Sequence, residues 1–88
     1  MCRSIKVLFN FAPPATDEEV RAAARQFVRK LSGYTVPTAA NQKAFDRAVE
    51  KTYKVARELV DSLVTTAPPK NREVEAAKAK ARAAVRYR

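Results

Sequence analysis

The sequence predicts an all-α protein, a small three-helix domain with a long central helix and an extended N-terminal arm. Apolar residues recur at helical spacing, two Pro-Pro pairs divide the chain, and 17 of its 88 residues are alanine, the strongest helix former. This length fits a single domain over residues 1–88. We divide it into an arm (1–15), a two-helix core (16–66) and a basic C-terminal helix (67–88).

The arm is predicted to be an extended strand. Aromatic and branched residues alternate along it, at Ile5, Val7, Phe9 and Phe11. A lone strand leaves its backbone groups unpaired, so we expect it to pair with a second copy of the chain or to lie in a groove between helices. These four residues are the predicted partner-binding residues of the arm.

The first helix is predicted over residues 17–32. Thr16 and Glu19 have the spacing of a capping box at its start. Gly33, the only glycine, follows its end and suits a left-handed C-cap. The predicted inner face follows helical steps of three and four residues. It consists of Val20, Ala24, Phe27, Val28 and Leu31.

The second helix is predicted from Thr38, a candidate N-cap, to about Thr65. About 26 helical residues would span roughly 39 Å, more than the first helix covers. We therefore expect the arm, the third helix or a second subunit to cover part of its apolar face, and we expect a homodimer. That face consists of Phe45, Ala48, Val49, Thr52, Ala56, Leu59, Val60 and Leu63.

The third helix is predicted over about residues 72–86, with Asn71 as its cap and a narrow apolar stripe. The stripe consists of Val74, Ala77, Ala81, Ala84 and Val85. Residues 67–88 hold seven bases and two acids, so this segment carries +5 of the net charge of +9. No acid follows Glu75, whereas five bases do. They are Lys78, Lys80, Arg82, Arg86 and Arg88.

Lysine and arginine displace the counterions condensed on phosphates, and the resulting affinity needs no base-specific contact. The leading hypothesis is therefore a non-enzymatic protein that binds nucleic acid, or another acidic partner such as an acidic protein, through these five bases. The alternative is a protein–protein adaptor or assembly subunit that uses the arm, with a tail that is only solubilising.

The predicted order of elements is similar to two known architectures. A strand before two helices is typical of ribbon-helix-helix DNA-binding proteins, but the two prolines and the long second helix argue against that class. The histone fold also has a short, a long and a short helix in this order, but the sequence contains no motif that is diagnostic of that fold.

Composition argues against most catalytic functions. One cysteine and no histidine exclude the usual zinc, haem and iron–sulfur ligand sets from a single chain, so we expect no metal and no cofactor. Cys2 would be an N-terminal nucleophile after loss of Met1, but no acid partner is identifiable, and we expect no enzyme. No apolar segment approaches about 20 residues, so we expect no membrane contact and a cytoplasmic location.

Several stretches resemble one family. They are Met1-Cys2-Arg3, Leu8-Phe9-Asn10-Phe11, Pro13-Pro14-Ala15-Thr16 and, later, Pro68-Pro69. Through these stretches the chain resembles a family of small bacterial proteins, the domain of unknown function twenty-two seventy-seven. The resemblance extends over nearly the whole chain. The resemblance implies no activity and no site residues. The chain departs from the family pattern at Ser4 and Ala12, where an asparagine and an acidic residue are expected.

Overall fold

The protein's structure, a computed structural model, describes residues 5–86 and, of Arg86, the backbone alone. Three helices account for most of the described residues, so the all-α prediction is confirmed. The elements in chain order are β1 (Phe11–Ala12), α1 (Asp17–Ser32), a short 3₁₀ helix (Ala39–Asn41), α2 (Gln42–Ser62), β2 (Lys70–Asn71) and α3 (Arg72–Arg86). None of the helices within residues 5–86 combines the length and the apolar character that crossing a membrane requires.

Helix α1 has the bounds that its caps predict. The Glu19 backbone N–H donates to Thr16 Oγ1 at 3.2 Å, and the Thr16 N–H donates to Glu19 Oε1 at 2.9 Å. At the other end Gly33 is left-handed with φ of 78°, and its N–H donates to the Arg29 carbonyl. At both ends of α1 the free backbone groups therefore find hydrogen-bond partners within four residues. For this reason the sequence alone predicts where the helix begins and ends.

Helix α2 is shorter than predicted. Thr38 precedes the 3₁₀ helix rather than α2, and its side chain accepts from Asn41 instead of capping a backbone N–H. At the other end Ser62 is the last helical residue and Leu63 is extended. The β-branched run Val64-Thr65-Thr66 explains this end, because such residues lose rotamer freedom in a helix and Pro68 follows.

The core lies between α1 and α2, which run antiparallel. Val20 is fully buried, and Ala24 and Val28 follow it at intervals of four. Val28 packs with Phe45 and Val49 of α2, and Ala15 completes the small set of buried residues in the described chain. Arg21 also joins the two helices, because it pairs with Glu50.

Two residues of the predicted inner face lie outside this core. Phe27 is 45% exposed and Leu31 is 72% exposed. A helix that packs against one neighbour buries a narrow row at intervals of four, and both residues fall beside that row. The prediction that they are buried is wrong within this chain.

The arm departs furthest from its prediction. Residues 5–8 form no regular strand, and the strand consists of two residues, Phe11–Ala12. It pairs in parallel with Lys70–Asn71 of the same chain, with Phe11 opposite Lys70. Within the described residues the strand of the arm therefore pairs with a segment of its own chain.

The arm also turns at Asn10, whose φ is 65°, a left-handed value that asparagine tolerates better than most residues. Val7 and Phe11 line a groove beside α3, and Phe9 lies with Phe11 in a hollow beside Arg57 and Val60 of α2.

Candidate nucleic-acid interface

Helix α3 is anchored at its first residue. Arg72 donates through Nε to the Pro13 carbonyl at 2.8 Å and through Nη2 to the Pro14 carbonyl at 3.3 Å. Its two terminal nitrogens also donate to the two carboxylate oxygens of Glu19, at 2.9 and 2.6 Å. We call this set, Arg72 with Glu19 and the two proline carbonyls, the Arg72 clamp. It uses the planar fork that distinguishes arginine from lysine.

A second set of contacts fixes the chain just before α3. The Asn10 side-chain amide donates to the Pro68 carbonyl at 3.1 Å, and the Lys70 N–H donates to the Asn10 carbonyl at 2.8 Å. Asn71 then caps α3, because its Oδ1 accepts from the Val74 N–H at 3.0 Å, as predicted. The start of α3 is therefore held to the end of the arm by backbone and side-chain bonds.

The clamp changes the acidity of Glu19. The hydrogen bonds from Arg72, followed by the bond from the Thr16 backbone N–H, lower the pKa of Glu19 from its ordinary value of 4.5 to about 2. The side chain is only 23% exposed, so water weakens these bonds little. The carboxylate is accordingly ionised, and the clamp is intact, at every pH above about 4.5.

This shift predicts a loss of stability in acid. Because the pKa is lower in the folded chain than in the unfolded chain, the stabilisation is complete above pH 4.5 and is lost as the pH falls toward 2. We expect Glu19→Gln to lower the free energy of unfolding by about 2 kcal/mol at pH 7 and by almost nothing at pH 2. Urea denaturation at both pH values measures the difference.

Glu18→Gln is the control, because Glu18 is an exposed acid in the same helical turn. It should change stability by less than about 0.5 kcal/mol. If Glu19→Gln lowers the free energy of unfolding equally at pH 7 and pH 2, the charge of the carboxylate is not what stabilises the Arg72 clamp.

Beyond the clamp, α3 lies open to solvent. Every residue from Ala76 to Val85 is exposed. The residues that face the arm are Glu75, Ala76 and Ala79, which border a groove of about 300 Å³. The predicted stripe that begins at Val74 and Ala77 is therefore not an inner face, since anchoring by Arg72 sets a different rotation of the helix.

The predicted basic residues of α3 do not share one face. Lys78 and Arg82 are four residues apart, so they lie within about 40° of each other around the helix, whereas Lys80 lies on the opposite side. All three are exposed, and Lys78 makes only a long contact of 3.7 Å with Glu75. The side chain of Arg86, and Arg88 altogether, lie outside the described residues, as does Cys2.

The predicted residues of the arm are divided between surface and interior. Ile5 and Val7 are exposed. Phe9 and Phe11 are half-buried, and the cations of Lys70 and Arg72 lie 5.5 and 5.8 Å from the Phe11 ring. The two aromatic residues thus contribute to the joint with α2 and α3.

The fold and its charge define a small, basic, helical protein with an exposed C-terminal helix. The chain belongs to a protein family, described as "Uncharacterized conserved protein (DUF2277)", whose sequence profile matches residues 1–78. No curated protein matches the chain, and no solved structure does so. Of the five predicted basic residues, Lys78 alone lies within the matched range.

Of the stretches that carry the family resemblance, those within residues 5–86 meet at one place. Asn10 and Phe11 contact the segment around Pro68, and the carbonyls of Pro13 and Pro14 accept from Arg72. The Ala15 carbonyl accepts from Arg57 of α2 at 3.0 Å. These stretches therefore have a structural role in the joint between arm, α2 and α3.

The sequence does not single out Arg72. It is one base among 18, and its partners lie 53 to 59 residues away. No local pattern marks a residue whose contacts are all so distant.

Proposed function

We propose that the protein binds nucleic acid through α3. The observation that carries this proposal is that residues 76–85 are all exposed and hold three bases and no acid. When exposed lysines and arginines of such a helix reach the phosphates of a nucleic acid, they displace the cations condensed there, and the release of those cations drives binding. The rest of the chain adds a net charge of the same sign.

The spacing of the bases favours a duplex. A helix with side chains is about 10–12 Å wide, close to the width of the major groove of B-form DNA. With α3 in that groove, Lys78 and Arg82 would reach the phosphates of one strand and Lys80 those of the other. The remaining residues from 76 to 84 are alanines, which allow the helix backbone to approach the groove closely.

The adaptor hypothesis has less support. One edge of the strand Phe11–Ala12 already pairs with Lys70–Asn71, so only the other edge of a two-residue strand is left for another chain. Ile5 and Val7 are exposed but lie outside that strand.

A triple variant tests the proposal. We expect Lys78→Ala, Lys80→Ala and Arg82→Ala together to weaken binding of a labelled DNA duplex at least about 100-fold at 0.1 M salt, because three phosphate contacts are lost. Alanine preserves the helix, so its folding is retained. Fluorescence anisotropy measures the affinity, and circular dichroism verifies the helix content.

The matched control removes the same charge elsewhere. Arg25, Lys43 and Arg47 are exposed bases of α1 and α2. Replacing all three with alanine should weaken binding less than about fivefold, since only the long-range electrostatic attraction between the chain and DNA is reduced. Equal losses in the two triple variants would show that net charge, not α3, accounts for binding. If the native chain does not bind, the proposal fails.

A further inference from the structure

The α1 and α2 helices form a single layer with an uncovered apolar side. The described chain measures 44 × 38 × 16 Å, and 16 Å is little more than the width of one helix. Stable domains usually bury their apolar faces between at least two layers. Here Phe27 and Leu31 of α1, with Val55 and Leu59 of α2, are exposed by between 45% and 72%. We call this side of the helix pair the open face.

The chain also exposes more surface than its mass requires. Its accessible surface is 7160 Å², whereas a folded monomer of 9.8 kDa exposes about 5200 Å². The excess of roughly 2000 Å² is more than twice the area of about 800 Å² that each partner buries in a standard interface. The chain could therefore bury the area of a standard interface and still expose as much surface as a folded monomer of its mass.

The shape of the open face matches itself. Along α2, the exposed side presents Ala44 and Ala48 in the first half and Val55 and Leu59 in the second. The two alanines form the floor of an apolar groove of about 350 Å³, and Phe27 and Leu31 form its wall. One half of the helix therefore carries a groove, and the other half carries side chains that fit one.

We propose that a second copy of the chain covers the open face, with the two α2 helices antiparallel about a twofold axis that passes between Lys51 and Thr52. Around this axis Leu59 meets Ala44 of the partner subunit, and Val55 meets Ala48 of the partner subunit. Each pair combines a large and a small side chain, and a twofold axis makes every contact twice. The open face contains none of the described bases of α3, so the proposal does not depend on nucleic-acid binding.

Sedimentation equilibrium of the full chain tests the dimer. The native chain should be dimeric, and Leu59→Glu should raise the dimer dissociation constant at least about 100-fold, because two buried leucines are lost for each dimer. Leu59 is more than half exposed in one chain, so the variant should keep its helix content. Val64→Glu is the control, since Val64 is 93% exposed and lies outside the open face; it should remain dimeric.

A cysteine at the axis tests the arrangement. In a Cys2→Ser background, Thr52→Cys should give a disulfide-linked dimer under mild oxidation, because residue 52 lies beside the axis and so comes close to its own copy in the partner subunit. Arg25→Cys, an exposed position on α1, should stay uncrosslinked. A monomeric native chain overturns the proposal, as does a dimer that survives Leu59→Glu or a failure of Thr52→Cys to cross-link. A dimer dissociated instead by Val85→Glu would assign the contact to α3, and would also overturn it.

Discussion

Arg72→Ala is expected to lower the free energy of unfolding by about 2–3 kcal/mol at pH 7. The variant removes both bonds to the Glu19 carboxylate and both bonds to the proline carbonyls. Hydrogen bonds to charged groups contribute about 1.5–3 kcal/mol, and the half-buried carboxylate would be left without its cation. Urea denaturation followed by circular dichroism measures the loss.

The variant should also change the acid response. Without Arg72, the pKa of Glu19 returns toward its ordinary value, so the decline in stability between pH 4.5 and 2 becomes shallower. Arg72→Lys should recover only part of the loss, because an ammonium cannot make the planar pair of bonds. If Arg72→Ala costs no more than Arg25→Ala, an exposed control, the clamp does not hold α3 in place.

Phe45→Ala is expected to lower the free energy of unfolding by about 3–4 kcal/mol. Phe45 is buried between α1 and α2 in contact with Val28 and Val49, and it is the only aromatic side chain in the core of the described residues. Replacing a buried phenylalanine by alanine costs about 3–5 kcal/mol, since it removes apolar contact and leaves a cavity. A chain of this length has a total stability of about 4–13 kcal/mol, so much of it would be lost.

The same urea titration measures this effect. Val64→Ala is the control, because Val64 is almost fully exposed, and it should change stability by less than about 0.5 kcal/mol. A loss for Phe45→Ala below about 1 kcal/mol would mean that the α1–α2 contact is not the main source of stability.

The elements that the sequence predicts well are those with local causes. Helix α1 has its predicted bounds because Thr16, Glu19 and Gly33 act within a few residues of its ends. Asn71 likewise caps α3 through the nearby Val74 N–H. Local signals of this kind survive tertiary packing because both partners lie in the same turn.

The elements that the sequence predicts poorly depend on distant partners. Alternation from Ile5 to Phe11 indicates a long strand, but the Asn10 turn and pairing with Lys70–Asn71 limit it to two residues. The rotation of α3 depends on Arg72, whose partners are more than 50 residues away. Helical periodicity places Phe27 on the apolar face of α1, but it does not indicate whether the surface that covers this face belongs to the same chain.

The candidate interface is also predictable from the sequence only in part. Charge segregation in the sequence indicates Lys78, Lys80 and Arg82, and all three are exposed on α3. Their division between two sides of the helix follows from the spacing alone. The sequence does not indicate the Arg72 clamp that anchors this helix, because the contacts of the clamp join residues that are far apart in the chain.

The most direct test of the central proposal is the salt dependence of duplex binding by the native chain and by the triple variant of Lys78, Lys80 and Arg82. Each phosphate contact contributes about −0.9 to the slope of the logarithm of the binding constant against the logarithm of salt concentration. We therefore expect the native slope to exceed that of the variant by about 2.7 in magnitude. Equal slopes would contradict the proposal, because they would mean that α3 contacts no phosphate.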